Sequence, residues 1–187
     1  GFEVLVAPYQ GTALGLELRT SAAHVDELPV RQAISHAIDR EELVSTVFSP
    51  NWRAATSVVQ QSLPGWADLS ADFAFDPARS AELLDEAGWV VGDDGIRERD
   101  GERLALHAYP SPLLNVSDSL LQLIAQQLAV VGIDLQLRPT DASSYASVSG
   151  ADDLPIYQNH NTSNSFTEFR VWWSGAGQNR FRAGDPE

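Results

Sequence analysis

Between Val30 and Val47 the chain can hardly be anything but helix, turn, helix. Val30, Ala33, Ile34, Ala37 and Ile38 recur at i, i+3, i+4, i+7 and i+8, one apolar helical stripe, while Arg31, Gln32, Ser35 and His36 fall off it. Asp39 then starts a second helix. Its carboxylate can accept from the next turn's backbone N–H groups, and Glu42 stands at capping-box spacing. Leu43, Val44 and Val47 continue the apolar face. Periodicity alone allows such a corner in any α/β domain.

Strand and helix signals alternate through the rest. Phe2 to Ala7 reads as a strand closed by Pro8, and Leu14, Leu16 and Leu18 as a half-buried strand. Thr20 to Leu28 is a loop carrying Asp26 and Glu27, and Pro29 suits the first helical position. Residues 49–74 form a long loop with Pro50, Pro64 and Gly65; Trp52 and Trp66 either anchor it to the core or line a cleft. Asp76-Pro77 opens a helix with Ala81, Leu84 and Leu83 or Ala87 as its buried stripe, ended by Gly88-Trp89. The two Asp-Gly pairs between Gly92 and Leu104 mark a small β-hairpin, and the ligand spacing of a calcium loop is missing there. Leu104, Leu106 and Ala108 begin a strand stopped by Pro110. Leu120, Leu121, Ile124, Leu128 and Val131 line a helix closed by Gly132, and Ile133, Leu135 and Leu137 form another strand. Residues 141–148 read as a short helix and 155–158 as a strand. The expectation is one layered α/β domain with strands near 3–7, 13–18, 104–109, 133–138 and 155–158 and helices near 30–38, 40–48, 77–87 and 117–131.

Charge narrows the partners. The net charge is −14, against the positive face that nucleic acid or anionic membrane requires. All 12 basic residues are arginine, and there is no cysteine for a disulfide or thiolate metal site. No run approaches the roughly 18 apolar residues of a membrane helix, and the chain, without methionine, reads as an excised piece. His24, His36, His107 and His160 are scattered, with no Gly-x-Ser-x-Gly elbow and no Cys nucleophile, which argues against a hydrolase and for no cofactor.

Five stretches carry a resemblance. Pro29 to Arg40 resembles the "VRQAISYAIDR" segment of family 5 extracellular solute-binding proteins, the peptide/nickel-class receptors of ABC importers. Phe75 to Trp89 resembles the family's "YDPEKAKELLAEAGW", Gly92 to Leu104 its "DGDGIREKDGKKL", and the helix–Gly132–Ile133-Asp134-Leu135 junction its "QLKKIGIDVEL"; Tyr145 stands where the family has an aromatic residue. The resemblance implies a periplasmic-binding-protein-like (type II) lobe, a mixed sheet flanked by helices. Residues 1–187 would be the C-terminal ligand-binding lobe of a two-lobe receptor, without its N-terminal lobe and cut at the Asp185-Pro186-Glu187 end. It further implies a small solute, an oligopeptide first, held between lobes that close by a hinge, an ABC permease as membrane partner, and an extracytoplasmic location, periplasmic or as a cell-surface lipoprotein. The ligand wall would follow the last strand, in Asn159, His160, Asn161, Thr162, Ser163 and Asn164. Peptide-binding members carry an "ADY" triplet here, whose Asp pairs with a peptide's ammonium; Thr162 takes that place, so a polar, uncharged wall is expected. His160 is a candidate metal-chelate ligand or a hydrogen-bonded structural residue. Tyr109, Trp52 and Trp172 are candidate apolar walls, since adjacent Trp172 and Trp173 cannot both face the core of a strand. A ligand-sensing domain of a transcription regulator reuses the same fold; upstream sequence separates the two.

Overall fold

The computed structural model describes residues 14–48, 50–57, 66–149 and 154–160. The expected strand at 3–7 lies outside them. The elements follow in the order β1 (Leu14–Leu18), α1 (Leu28–Ala37), α2 (Arg40–Val47), α3 (Pro77–Glu86), β2 (Val90–Val91), β3 (Arg97–Arg99), β4 (Glu102–Arg103), β5 (Ala105–Ala108), α4 (Ser117–Val130), β6 (Asp134–Leu137), α5 (Ala142–Ser149) and β7 (Ile156–His160).

Four strands make one mixed sheet in the order β1-β7-β5-β6: β5 is parallel to β6 and to β7, and β1 runs antiparallel to β7. Register aligns Leu18 with Ile156, Ile156 with Ala108 and Ala108 with Leu137, an apolar row across every strand. Leu106 lies beside Leu135 in the next row of the β5–β6 pair. This sheet and helices α1, α3 and α4 share one core, centred on Val30, Ile34, Leu84, Leu106, Leu121, Ile124 and Ile156.

Three details depart from the sequence reading. The strand at 14–18 is not simply half-buried: on the face opposite its leucines Gly15 is exposed, but Glu17 is only 5% exposed, so that face is covered toward the Leu18 end. The buried stripe of α3 is Ser80, Leu83 and Leu84 rather than Ala81. The Ser80 hydroxyl donates to Ala33 O of α1 at 2.8 Å, which lets the two helices meet with a polar atom satisfied. The Gly92–Leu104 region is a three-stranded meander, β2-β3-β4, because Val90 and Val91 pair with Glu98 and Arg97 ahead of the turn.

Helix starts follow the caps. Asp39 accepts from Glu42 N at 3.0 Å and Asp76 from Arg79 N at 2.9 Å, and Pro77 takes the first turn of α3. The other half of the capping box is relayed: Gln127 of α4 takes Asp39 N–H on its Oε1 at 3.1 Å and donates Nε2 to Glu42 at 2.6 Å. Thus the α1–α2 corner is tied to α4 by one buried amide.

Helix ends are equally specific. Trp89 N bonds Leu84 O at 2.9 Å around Gly88 (φ +85°), and Ile133 N bonds Leu128 O at 3.0 Å around Gly132 (φ +87°). Both are Schellman closures. Arg97, 3% exposed, joins them. Its Nε donates to Val131 O at 2.8 Å, Nη1 to Trp89 O at 2.5 Å and to the Asp85 carboxylate, and Nη2 to Ala81 O at 3.3 Å. A Cβ on Gly132 would lie 2.7 Å from Arg97 Cγ, so this glycine is needed for space as well as for φ. Nearby, Arg99 forks onto Glu27 at 2.6 and 2.9 Å, donates to Ala87 O at 2.8 Å and lies 4.3 Å above the buried Trp89 ring. The Arg99 hydrogen bonds hold the Glu27 carboxyl below its ordinary pKa.

Replacing Arg97 by Met keeps the stem's packing and strands two buried carbonyls. We expect a loss of about 3 kcal/mol in unfolding free energy, read by denaturant titration. A loss below about 1 kcal/mol, the scale of an exposed ion pair, would show that the guanidinium is not needed there.

Candidate functional site

The parallel strands all point their carboxyl ends the same way, but they are staggered. β5 and β6 finish at Ala108 and Leu137, level with Ile156 where β7 begins; β7 runs on past them to His160, paired with antiparallel β1, whose Leu14 lies opposite His160. Arg138 N donates to Ala108 O at 2.9 Å and closes the β5–β6 end. Beyond the carboxyl ends of parallel strands is where open α/β sheets bind ligands.

Each strand delivers residues to that side. After β5, Tyr109 is half-buried, edge-on to His107 at 5.9 Å, and rests on a small cluster of Tyr145 and Leu154. Pro110 and Ser111 are buried, Ser111 N donating to Ser117 Oγ at 2.7 Å, while Leu113 stands 70% exposed. After β6, Asp141 caps α5, accepting from Ser143 N, Ser144 N and both serine hydroxyls at 2.5 to 3.2 Å. Those hydrogen bonds lower its pKa to about 2. β7 runs two residues longer than the 155–158 expected from sequence, so Asn159 and His160 belong to the strand, in register with Gly15 and Leu14, rather than to a segment that follows it.

On the helix side of β1 lies a cavity of about 460 Å³. Leu14, Leu16 and Leu18 of β1, Ile34 and Ile38 of α1, Leu43 and Val44 of α2, and Leu120 and Ile124 of α4 form its walls, and Phe48 with Trp52 to Ala55 its rim. At the rim Trp52, 50% exposed, stacks on Phe48 with ring centres 4.8 Å apart. Three arginines also line it, and each is spent on backbone. Arg31 Nη1 holds Val25 O and Asp26 O at 2.9 and 2.7 Å, and Arg53 Nη1 holds Pro50 O and Trp52 O, both at 2.9 Å. Arg40 donates to Ser35 O, Ile38 O, Phe73 O and Ser35 Oγ at 2.8 to 3.2 Å, and burial pushes its pKa down. Arg40 thereby fastens the 66–76 segment to the α1–α2 corner.

The sequence candidates therefore fall in three places. Tyr109 and the backbone of Asn159 and His160 lie on the carboxyl side of the parallel strands, Tyr109 beside the start of β7 and His160 at its far end. Trp52 stands at the cavity rim, joined to that far end through Leu14. Asn161, Thr162, Ser163, Asn164 and Trp172 lie outside the described residues. Sequence reasoning missed the cavity and the role of Arg40. The available signal was Phe48, four residues ahead of Trp52 just past the end of α2. Among the described residues, no three His, Asp or Glu side chains converge as metal ligands, and no helix is long and apolar enough to cross a membrane.

A mixed sheet with helices packed on it is the build of a periplasmic-binding-protein lobe, and comparison with known proteins agrees. Residues 4–181 match the model of "Bacterial extracellular solute-binding proteins, family 5 Middle". The chain belongs to this family of extracellular solute-binding proteins. It is 29% identical over 132 residues to the nickel-binding periplasmic protein of Escherichia coli K12, covering 69% of this chain and 25% of that one. It is 31% identical over 139 residues to a putative ABC transporter peptide-binding protein of Brucella ovis, covering 70% and 24%. Among solved structures, NikA from Brucella suis in complex with Fe(III)-EDTA superposes with a TM-score of 0.72 at 31% identity, over 82% of this chain and 31% of that one. A mannohexaose-bound periplasmic oligopeptide-binding protein from Thermotoga maritima gives 0.77 at 22% identity, over 94% and 36%. The chain thus spans about a quarter of the length of the curated relatives.

Asp141 yields a pH prediction. Its folded pKa lies below the ordinary 3.8, so its contribution is present above pH 3.8 and is lost as pH falls through about 2. The stability difference between the parent and Asp141→Asn should be constant above about pH 4.5 and shrink toward pH 2. A difference that does not change over that range would mean that the serines do not hold the carboxylate.

Proposed function

We propose that this chain is the ligand-binding lobe of the substrate-binding component of an ABC importer. It takes an oligopeptide or similar polar solute between itself and a second lobe and presents the closed form to the permease. The reading rests on the carboxyl side of the parallel strands, where β5 and β6 end level with the start of β7 and β7 runs on to Asn159 and His160 beside β1. Residues 1–187 supply one wall, and the N-terminal lobe of the same receptor supplies the other. The receptor acts outside the cytoplasm, periplasmic or lipid-anchored, by binding and closure without covalent chemistry.

Within this proposal Asn159, His160, Asn161, Thr162 and Asn164 form a neutral wall that hydrogen-bonds the solute's polar groups, with Tyr109 as its apolar flank. Amides, hydroxyls and one imidazole suit a backbone or a sugar. A carboxylate at position 162 would add a charge-assisted bond to an ammonium, about 1.5–3 kcal/mol. With Thr162 there, a free N-terminus gains nothing at this point of the wall.

The test measures the full-length protein against one peptide with a free and with an acetylated N-terminus. We expect affinities within a few-fold of each other. Thr162→Asp should strengthen only the free-amine complex. A preference of tenfold or more by the unaltered protein for the free amine, about 1.4 kcal/mol, would overturn the neutral-wall reading. An equal response of both peptides to Thr162→Asp would remove position 162 from the ammonium site.

A further inference from the structure

Gly15 is the one residue of β1 with no evident task inside the lobe. Leu14, Leu16 and Leu18 face the helices, and Gly15 alternates with them toward the opposite face; it borders the cavity with backbone alone. Glycine weakens a strand, having the most conformational freedom to lose and no side chain to pack. Within a strand it marks a left-handed backbone, a bulge, or a place where another group comes close. Gly15 is not one of the positive-φ glycines, which are Gly88, Gly95, Gly101 and Gly132. β1 pairs with β7 without a break from Leu14–His160 to Leu18–Ile156, so no bulge is present. A Cβ built on Gly15 meets nothing within 4 Å among the described residues, whereas one on Gly132 lies 2.7 Å from Arg97 Cγ. The face that is covered at Glu17 therefore opens at Gly15, which is exposed.

We propose that Gly15 determines specificity: the side chain it lacks leaves a notch in the solute wall that admits a bulky side chain of a bound peptide. The inference rests on the reading of this lobe as one wall of a peptide receptor. Gly15 stands directly opposite Asn159 in register, so the two share a face, on the stretch where β7 has run past the ends of β5 and β6. Asn159 is the first residue of the neutral wall, and Gly15 extends that wall by one strand. Glu17 and Tyr157 are the next pair along the same face, and the cover over Glu17 closes the notch on that side. Glycine contributes no charge and no side-chain hydrogen bond, so the notch sorts by size, while the neutral wall beside it meets polar groups. Any side chain at position 15 would project into the space. A glycine that only let the opposing lobe come close would behave differently, because filling it would weaken every solute alike.

The test uses the full-length protein, unaltered and as Gly15→Val and Gly15→Phe. The probes for calorimetry are pentaalanine and, for each of its positions, the peptide with that alanine replaced by phenylalanine. Valine and phenylalanine favour strands and the space is open, so both variants should unfold at the parent's temperature or above it. A loss of affinity is then not a loss of fold. The unaltered protein should bind at least one phenylalanine peptide about tenfold or more tighter than pentaalanine. Gly15→Phe should abolish that preference and leave pentaalanine within a few-fold of its original affinity, with Gly15→Val in between. A lower unfolding temperature in both variants would overturn the proposal by showing that position 15 is packed within the lobe. An equal loss for every peptide would overturn it by placing the opposing lobe or the solute main chain there. So would a preference for phenylalanine that survives both substitutions, or no preference in the unaltered protein. Failure of the unaltered protein to bind any of these peptides would remove the peptide reading and this inference together, whereas binding that ignores position 15 removes this inference alone.

Discussion

The guanidinium of Arg97 sits where two helices end. The C-terminal turns of α3 and α4 both present carbonyls with no helical partner, and each carries the negative end of its helix dipole. Arg97 donates to the carbonyl of Val131, the cap residue of α4, at 2.8 Å, and to that of Trp89, just past the closure of α3, at 2.5 Å. Its charge is compensated by those dipoles and by Asp85 at the surface, which is why a nearly buried cation is tolerable here. Arginine suits this position because its planar fork addresses several acceptors at once, where an ammonium is a compact point charge on a flexible stem.

Much of the lobe hangs from that junction. α3, fixed at its far end, meets α1 through Ser80, and α4 brings Gln127 to the cap of α2. The α1–α2 corner, held from α4, is where Arg40 gathers Ser35, Ile38 and Phe73. A chain of buried polar contacts therefore runs from the surface meander to the cavity wall, with the apolar core filling the space between. Each link satisfies a backbone group that the adjacent fold leaves open, so the polar interior fixes relative positions that apolar packing alone leaves adjustable.

Helices were legible because their signals are local. The stripe of α4 and the Asp-Pro and Gly-Trp ends of α3 each lie within one segment, and the strand at 133–138 was visible as alternation after Gly132. The reading failed where a distant partner decided the outcome. Ser80 is buried only because Ala33 O lies opposite, 47 residues away in sequence. Glu17 looked like the wet face of a strand, and no local pattern says that the second face is covered. The hairpin was expected to begin at Gly92, and pairing with β3 adds Val90 and Val91 ahead of it as a third strand. For the site, the resemblance pointed to the polar stretch from Asn159 to Asn164, of which Asn161 onward lies outside the described residues, while the cavity could not be read at all: its walls come from β1, α1, α2 and α4 and exist only once these are packed.

The two ladders of β7 are unequal. Among the described residues, five register pairs join it to β1, from Ile156 to His160, and a single pair, Ile156 with Ala108, joins it to β5. Mechanically the sheet is then two plates meeting along a lightly stitched seam: β1 with β7 on one side, β5 with β6 on the other. A load applied to the polar segment after His160 passes into β1 and from there to the loop that leads into α1, and only weakly across to β5 and β6.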